Sequence, residues 1–340
     1  MEKIKVGIVG LGRLGYSHAE NLAYHIPNCE LTAVCTRTEE TVKRTQEKLN
    51  VPYGYTEYNE MLDNKELDAV FIASPSNLHS NQVIKALQAG FHVFTEKPLG
   101  LTVKETEKVA KVVEEHPNQI FMLGFMRRYD ESYMEAKKLI DEGHIGKPVM
   151  IRSYGLDPAA NIEGILKYAT GGDSGGIFLD MGVHDLDIAR WLIGLEAKEV
   201  WALGGSYAYP QFDEIGDAET VTAMVNFEEG VIGVFALSRN AAHGAHVETE
   251  IIGTKGSLQI GTEPSRNKLT IFDEKGIVKN VYEDFYDRFR HAFRAETEEF
   301  INCIIEKRQP EVTAWDGVEA TRLAYACKAS LDSGEKIKIN

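Results

Sequence analysis

Lys5-Val6-Gly7-Ile8-Val9-Gly10-Leu11-Gly12-Arg13-Leu14-Gly15 decides the fold of this chain. Its first five residues form a short apolar run suited to a buried strand, and residues 16–24 behind the glycines read as a helix. Gly10, Gly12 and Gly15 therefore form a G-x-G-x-x-G turn between a strand and a helix. In that setting the first glycine permits a tight turn, and the second lets backbone approach a pyrophosphate. The third lets helix and strand pack closely, with the phosphates at the helix N-terminus. Gly10, Gly12, Arg13, Leu14 and Gly15 are thus candidate contacts for a dinucleotide.

A second strand, 30–35, follows the helix, and an acid at its end would bind a ribose 2′-hydroxyl. The chain reads Cys35-Thr36-Arg37-Thr38, with no acid before Glu39. Thr36 and Arg37 are the candidate contacts here. Arg37 would tolerate a 2′-phosphate, or simply be a solvated surface arginine, so the residues leave NAD and NADP both open.

The βα alternation continues with helices at 39–49 and 57–62 and a strand at 69–73 that ends in Ser74-Pro75-Ser76-Asn77-Leu78-His79. Ligands gather at such carboxyl ends of parallel strands. A helix over 80–89 leads to the strand 92–94, which delivers Glu96-Lys97-Pro98-Leu99-Gly100. A lysine at a strand's carboxyl end, followed by proline, is placed to aim an ammonium at a substrate. A helix at 103–115 and a strand at 121–125 complete this half.

From about Arg127 the rhythm changes. A helix at 132–142 and a strand at 147–154 lead to Gly171-Gly172-Asp173-Ser174-Gly175-Gly176 and then to a helix from Asp180 to Gly194. Asp180 and His184 are four apart, so a helix puts both on one face, a carboxylate beside an imidazole. As a bland alternative, Asp180 is an N-cap and His184 an ordinary helix residue. Asp187 shares the His184 face, as a second orienting acid or a surface charge. Strands at 198–207, 220–227, 231–237, 248–252, 257–260 and 269–273 follow, and helices at 289–306 and 315–333 end the chain. The expectation is α/β plus α+β: a Rossmann domain over residues 1–124, and over 125–340 an α+β domain with a large, open, mostly antiparallel sheet.

At 340 residues there is room for two cores of the usual ~150 residues. A net charge of −15 disfavours nucleic acid and anionic membranes as partners. No apolar run is long enough to span a bilayer, and the first residues lead straight into a strand without a secretory signal. Cys29, Cys35, Cys303 and Cys327 show no metal-binding or redox spacing. They read as reduced thiols of a cytoplasmic protein, with no metal site expected.

Four segments in this order, GIVGLGRLG (7–15), SPSNLH (74–79), EKPLG (96–100) and GGIFLDMGVHDLDIARWL (175–192), resemble the glucose–fructose oxidoreductase/inositol dehydrogenase family over essentially the whole chain. Residues 124–130, 151–154, 157–160, 239–244 and 250–256 are similar, more narrowly, to inositol dehydrogenases, those acting on scyllo-inositol foremost. The resemblance implies hydride transfer from a polyol to NAD(P), with NAD slightly favoured. It implies Lys97, Asp180 and His184 as the catalytic trio, with His184 the base, Asp180 its orienting acid and Lys97 a positive charge at the reacting oxygen. Ser74, Pro75, Asn77, His79, Glu96 and Lys97 join the cofactor contacts, and Arg127, Asp157, Asn240 and His243 become substrate contacts. Arg127 could instead pair with Asp130, and His243 sit in an exposed loop. The family also implies a homo-oligomer, dimer or tetramer. The alternatives are a sugar dehydrogenase oxidising an aldose or pyranose, and a non-catalytic nucleotide-sensing regulator. A regulator has no need to keep Lys97, Asp180 and His184 together.

Overall fold

The computed structural model describes residues 3–171, 174–274 and 276–339, so Gly172 and Asp173 of the glycine-rich loop lie outside the described residues. The chain divides into two compact units. One takes the chain up to Tyr129 together with His291–Glu319; the other takes Asp130–Arg290 and the chain from Ala320.

In the first unit, six parallel strands form one sheet: β1 (Ile4–Val9), β2 (Cys29–Cys35), β3 (Tyr53–Tyr55), β4 (Ala69–Ile72), β5 (His92–Glu96) and β6 (Phe121–Gly124). Helices α1 (Arg13–Glu20), α2 (Glu39–Leu49), α3 (Tyr58–Leu62), α4 (Ser76–Gln88) and α5 (Val103–Glu115) occur along the same stretch. The strand order β3-β2-β1-β4-β5-β6 reverses direction at β1 and β4, where a doubly wound sheet opens a crevice at its carboxyl ends. All four residues of β4 are buried, as expected of a strand covered on both faces. Thr102 and Glu105 form a reciprocal capping box that starts α5. The sequence places the start of α4 at Ser80; it begins at Ser76, with Pro75 as an N-cap at φ −57° and ψ 142° whose missing N–H costs the helix no hydrogen bond. Asn77 and His79 therefore sit on the first turns of a helix rather than in a loop.

The second unit contains α6 (Glu131–Asp141), β7 (Pro148–Pro158), α7 (Ile162–Thr170), α8 (Val183–Ile193), β8 (Ala197–Gly205), α9 (Gln211–Glu214), β9 (Thr220–Phe227), β10 (Ile232–Ala241), β11 (His246–Gly253), β12 (Ser257–Ile260) and the hairpin β13 (Ser265–Asp273) with β14 (Gly276–Val281). The chain closes with α10 (Phe285–Glu306), α11 (Ala314–Ser333) and β15 (Ile337–Lys338). The large sheet runs β12-β11-β7-β10-β9-β8-β15. Every neighbouring pair is antiparallel except β7 and β10. Burial alternates strictly along β9 and β10, so one face is core and the other carries exposed Trp201, Leu203, Met224 and Ile232.

The return of residues 291–319 to the first unit departs from the expected division at 124/125. α10 bends at Phe289, and beyond it Phe300, Ile301 and Ile304 join the core that holds Ile8, Phe71 and Phe94. An apolar helix face in the sequence does not say which core it will cover. Cys29, Cys35, Cys303 and Cys327 are buried and unbridged, and burial pushes the thiols of Cys29, Cys35 and Cys303 up to about 12. Among the described residues, no helix is long and apolar enough to cross a membrane.

Candidate active site

The glycine turn has the shape a pyrophosphate needs. Gly10 has φ +92°, and a Cβ there would stand 2.4 Å from the Ala73 carbonyl oxygen at the end of β4. A Cβ at Gly15 would stand 2.0 Å from the Gly10 oxygen, so α1 closes directly onto the turn. Gly12, the N-cap of α1, has open space where its side chain would be. Two glycines are thus required by packing, and the third leaves backbone accessible ahead of the first N–H groups of α1, at Arg13 and Leu14. Thr36 and Arg37 follow β2, the first half-buried and the second exposed, and the Thr36 N–H donates to the Tyr55 oxygen at 3.1 Å.

Beyond β4, Ser74 and Pro75 are half-buried and Asn77 is exposed. His79 is buried at 1% exposure, with Nε2 2.7 Å from the Ser74 carbonyl oxygen and Nδ1 2.8 Å from that of Pro98. Burial holds its pKa below the ordinary value, although both backbone contacts work the other way. β5 ends at Glu96, and Lys97 follows, half-buried and joined to Pro98 by a cis peptide. Glu96 is 4% exposed; its Oε1 lies 2.8 Å from His18 Nε2 on α1, and its Oε2 accepts the Lys97 N–H at 3.2 Å. The sequence made Glu96 and His79 cofactor contacts. The structure buries both and engages them with groups of the protein, where they hold the backbone on either side of Lys97.

In the second unit, Gly175 and Gly176 both have positive φ and turn the chain into a π-helical segment, Phe178–Gly182, that runs on into α8. Asp180 lies in the π segment and His184 in the first turn of α8, where it is buried. A π turn is rare and frequent at functional sites, and it alters the simple four-residue stacking assumed from the sequence. Asp180 Oδ2 is 3.5 Å from Nη2 of Arg239, a residue of β10. Arg239 Nη1 donates to Asp217 Oδ2 at 2.6 Å, and Asp217 Oδ1 accepts the Ile177 N–H at 2.9 Å. Asp187 is 1% exposed, which rules out a surface charge. Its neighbour Asp185 is fully buried and accepts from Ser153 Oγ at 2.6 Å.

One end of the large sheet collects most of the expected substrate contacts. Asp157 is the last residue but one of β7, and Asn240 the last but one of its parallel neighbour β10. Asn240 Nδ2 donates to Glu219 Oε1 at 3.0 Å. Glu219 Oε2 accepts the N–H groups of Tyr207, Ala208 and Tyr209 at 3.1, 2.7 and 2.9 Å. His243 is exposed in the turn before β11, with Nε2 3.3 Å from His246 Nδ1. Burial, then His243, lowers the His246 pKa. Arg127 belongs to the first unit, in a short 3-10 turn over Met126–Tyr129, and is 5% exposed. Asp130 pairs with Arg288 at 2.7 Å and caps α6.

Asp217, Arg239 and Glu219, which hold Asp180 and Asn240 in these contacts, are not among the site residues expected from the sequence. Their partners lie far along the chain, and the only signal was that Arg239 stands next to Asn240.

A family model described as the oxidoreductase family, NAD-binding Rossmann fold, matches residues 4–125, and one described as the GFO/IDH/MocA C-terminal domain matches residues 133–259. The chain is 32% identical to the scyllo-inositol 2-dehydrogenase (NAD(+)) of Bacillus subtilis over 99% of this chain and 97% of that protein. The crystal structure of scyllo-inositol dehydrogenase from Lactobacillus casei, with bound cofactor NAD(H) and scyllo-inositol, matches with a TM-score of 0.96 at 42% identity, covering 99% of each chain. The crystal structure of myo-inositol 2-dehydrogenase from Lactobacillus plantarum matches with a TM-score of 0.97 at 42% identity, covering 100% of each chain.

Proposed function

The chain belongs to the GFO/IDH/MocA family of oxidoreductases with an NAD-binding Rossmann fold, and from that premise we propose that it is an inositol dehydrogenase, oxidising a secondary ring hydroxyl of scyllo-inositol with NAD. The observation that carries this reading is the full-length similarity to the Lactobacillus casei enzyme, in whose structure NAD(H) and scyllo-inositol are bound. The equal identity to a myo-inositol 2-dehydrogenase makes myo-inositol the second substrate to test.

NAD, when bound, supplies the hydride acceptor that no side chain can provide. The residues that would hold it fit: open backbone at Gly12, the N-terminus of α1, and the half-buried Ser74-Pro75 step. His184 takes the hydroxyl proton, since an imidazole titrates near working pH. Asp180 orients that base, and Lys97 places positive charge against the oxygen as it becomes anionic. Arg127, Asp157, Asn240 and His243 bind ring hydroxyls, whose directional hydrogen bonds reject deoxy analogues. The chain acts as a homo-oligomer, and the exposed Trp201, Leu203, Met224 and Ile232 on the open sheet face are apolar enough to pair with another copy.

Initial rates with scyllo- and myo-inositol, each with NAD and NADP at mildly alkaline pH, test the reading. A scyllo preference with NAD is expected. Equal or better rates with glucose or xylose would make the protein a sugar dehydrogenase of the same family.

A further inference from the structure

Among the described residues, Arg239 heads the largest side chains that are fully buried, at 1% exposure. Its guanidinium packs over the Phe212 ring at 4.9 Å from the centroid, donates to Asp217 Oδ2 from Nη1 and faces Asp180 Oδ2 with Nη2. A planar fork stacked on a ring and bonded to a carboxylate has one orientation available. Nη2 is therefore turned toward Asp180, 3.5 Å from its Oδ2.

Asp217 has a second task. It is itself buried, with a side chain 5% exposed, and while Oδ2 holds Arg239, Oδ1 accepts the Ile177 N–H at 2.9 Å. Ile177 is the N-cap of the π segment that carries Asp180. The two glycines before it have positive φ, the Gly176 oxygen accepts the Asp180 N–H at 2.9 Å, and a Cβ at Gly176 would stand 3.2 Å from Asp217 Oδ1. One buried carboxylate thus fixes the start of the segment and the cation that meets its acid.

We propose that Arg239 and Asp217 are positioning residues that hold Asp180 at both ends, the guanidinium at its carboxylate and the carboxylate of Asp217 at the backbone that leads into it. The proposal rests on the assignment of Asp180 to the reaction. Its consequence is selective. Loss of the guanidinium misplaces the acid that orients the base, a fault felt in the chemical step rather than in cofactor binding, and a displacement of about 1 Å there costs on the order of a hundredfold in rate.

The test compares the full-length wild type with Arg239→Met and Arg239→Lys by steady-state kinetics, NAD titration and urea unfolding. For Arg239→Met the expected result is a kcat about a hundredfold lower, with KM for the polyol and NAD affinity unmoved. Arg239→Lys, which restores the charge without the fork, recovers part of the loss. A folded Arg239→Met with wild-type kcat overturns the proposal. So does a loss confined to KM, which would make Arg239 a substrate contact. Should Arg239→Met not fold, Arg239→Lys alone decides, on the same split between kcat and KM. Ratios are taken with whichever polyol the wild type turns over best, so a wrong substrate assignment changes the reference and leaves the ratio intact.

Discussion

Glu296 of α10 and Glu96 of β5 face each other inside the first unit, with one carboxyl oxygen from each and a ring nitrogen of His18 all within 4.8 Å of one another. Glu296 is fully buried, and neither of its oxygens has a hydrogen-bond partner. Burial first, and the facing Glu96 second, push its pKa well above the usual carboxylate range. Tyr129, pushed up by burial and then by Glu296, is a further titratable neighbour. An unfolded glutamate ionises near ~4.3, while the folded one keeps its proton to higher pH. Over that window the native state binds more protons than the unfolded state, so stability falls as pH rises and levels off above the folded pKa. Glu296→Gln removes this slope. Urea midpoints of the variant should hold steady upward from about pH 4.3 where those of the wild type decline; parallel curves would mean that Glu296 is already ionised in the fold.

Glu219 works in the opposite sense. Burial alone would raise its pKa, but three backbone N–H donors and Asn240 overrule it, and the net shift is downward. The folded state therefore releases this proton at lower pH than the unfolded state does. The stabilisation is present at neutral pH and disappears as pH falls through the folded pKa. Glu219→Gln loses charged acceptors for the N–H groups of Tyr207, Ala208 and Tyr209, at a cost of about 2 kcal/mol near pH 7. The difference between variant and wild type should close under acid, as followed by urea unfolding at several pH values.

For the chemistry, Lys97→Ala should lower kcat by about a thousandfold while calorimetric titration still shows NAD binding. The backbone on either side of Lys97 is held by Glu96 and His79, so the turn survives the substitution. His184→Asn should lower kcat by about 10²–10⁴-fold. If Lys97→Ala instead loses the cofactor, the lysine is part of the binding site and its assignment to the chemical step fails.

Short-range patterns explain what the sequence disclosed. Gly10 and Gly15 are constrained by neighbours at most a few residues away or by the adjoining strand, and Ala69 to Ile72 is apolar because a central parallel strand must be. Longer-range relationships left little trace. Arg239 meets Asp217 across 22 residues, and Glu296 reaches His18 and Glu96 only because the last part of α10 returns to the first unit. α7 is only nine residues long and carries Gly164 in its first turn, too short a run for its apolar spacing to mark a helix. The π segment at Asp180 is invisible in apolar periodicity, since one widened turn shifts the stripe by less than a residue.

Cofactor choice is the remaining point at which one residue gives a sharp forecast. Arg37 stands exposed just past β2, in the place where an acid would take the ribose 2′-hydroxyl, and no acid precedes Glu39. If the guanidinium meets a 2′-phosphate at all, Arg37→Asp replaces attraction with repulsion there and gives a 2′-hydroxyl an acceptor. The ratio of kcat/KM for NAD over NADP should then rise by about tenfold to a hundredfold, since hydrogen bonds to charged groups contribute roughly 1.5–3 kcal/mol. The rise should come chiefly from loss of NADP turnover, measured as initial rates at subsaturating cofactor. An unchanged ratio returns Arg37 to the solvated surface and leaves the selection of NAD to backbone around Thr36.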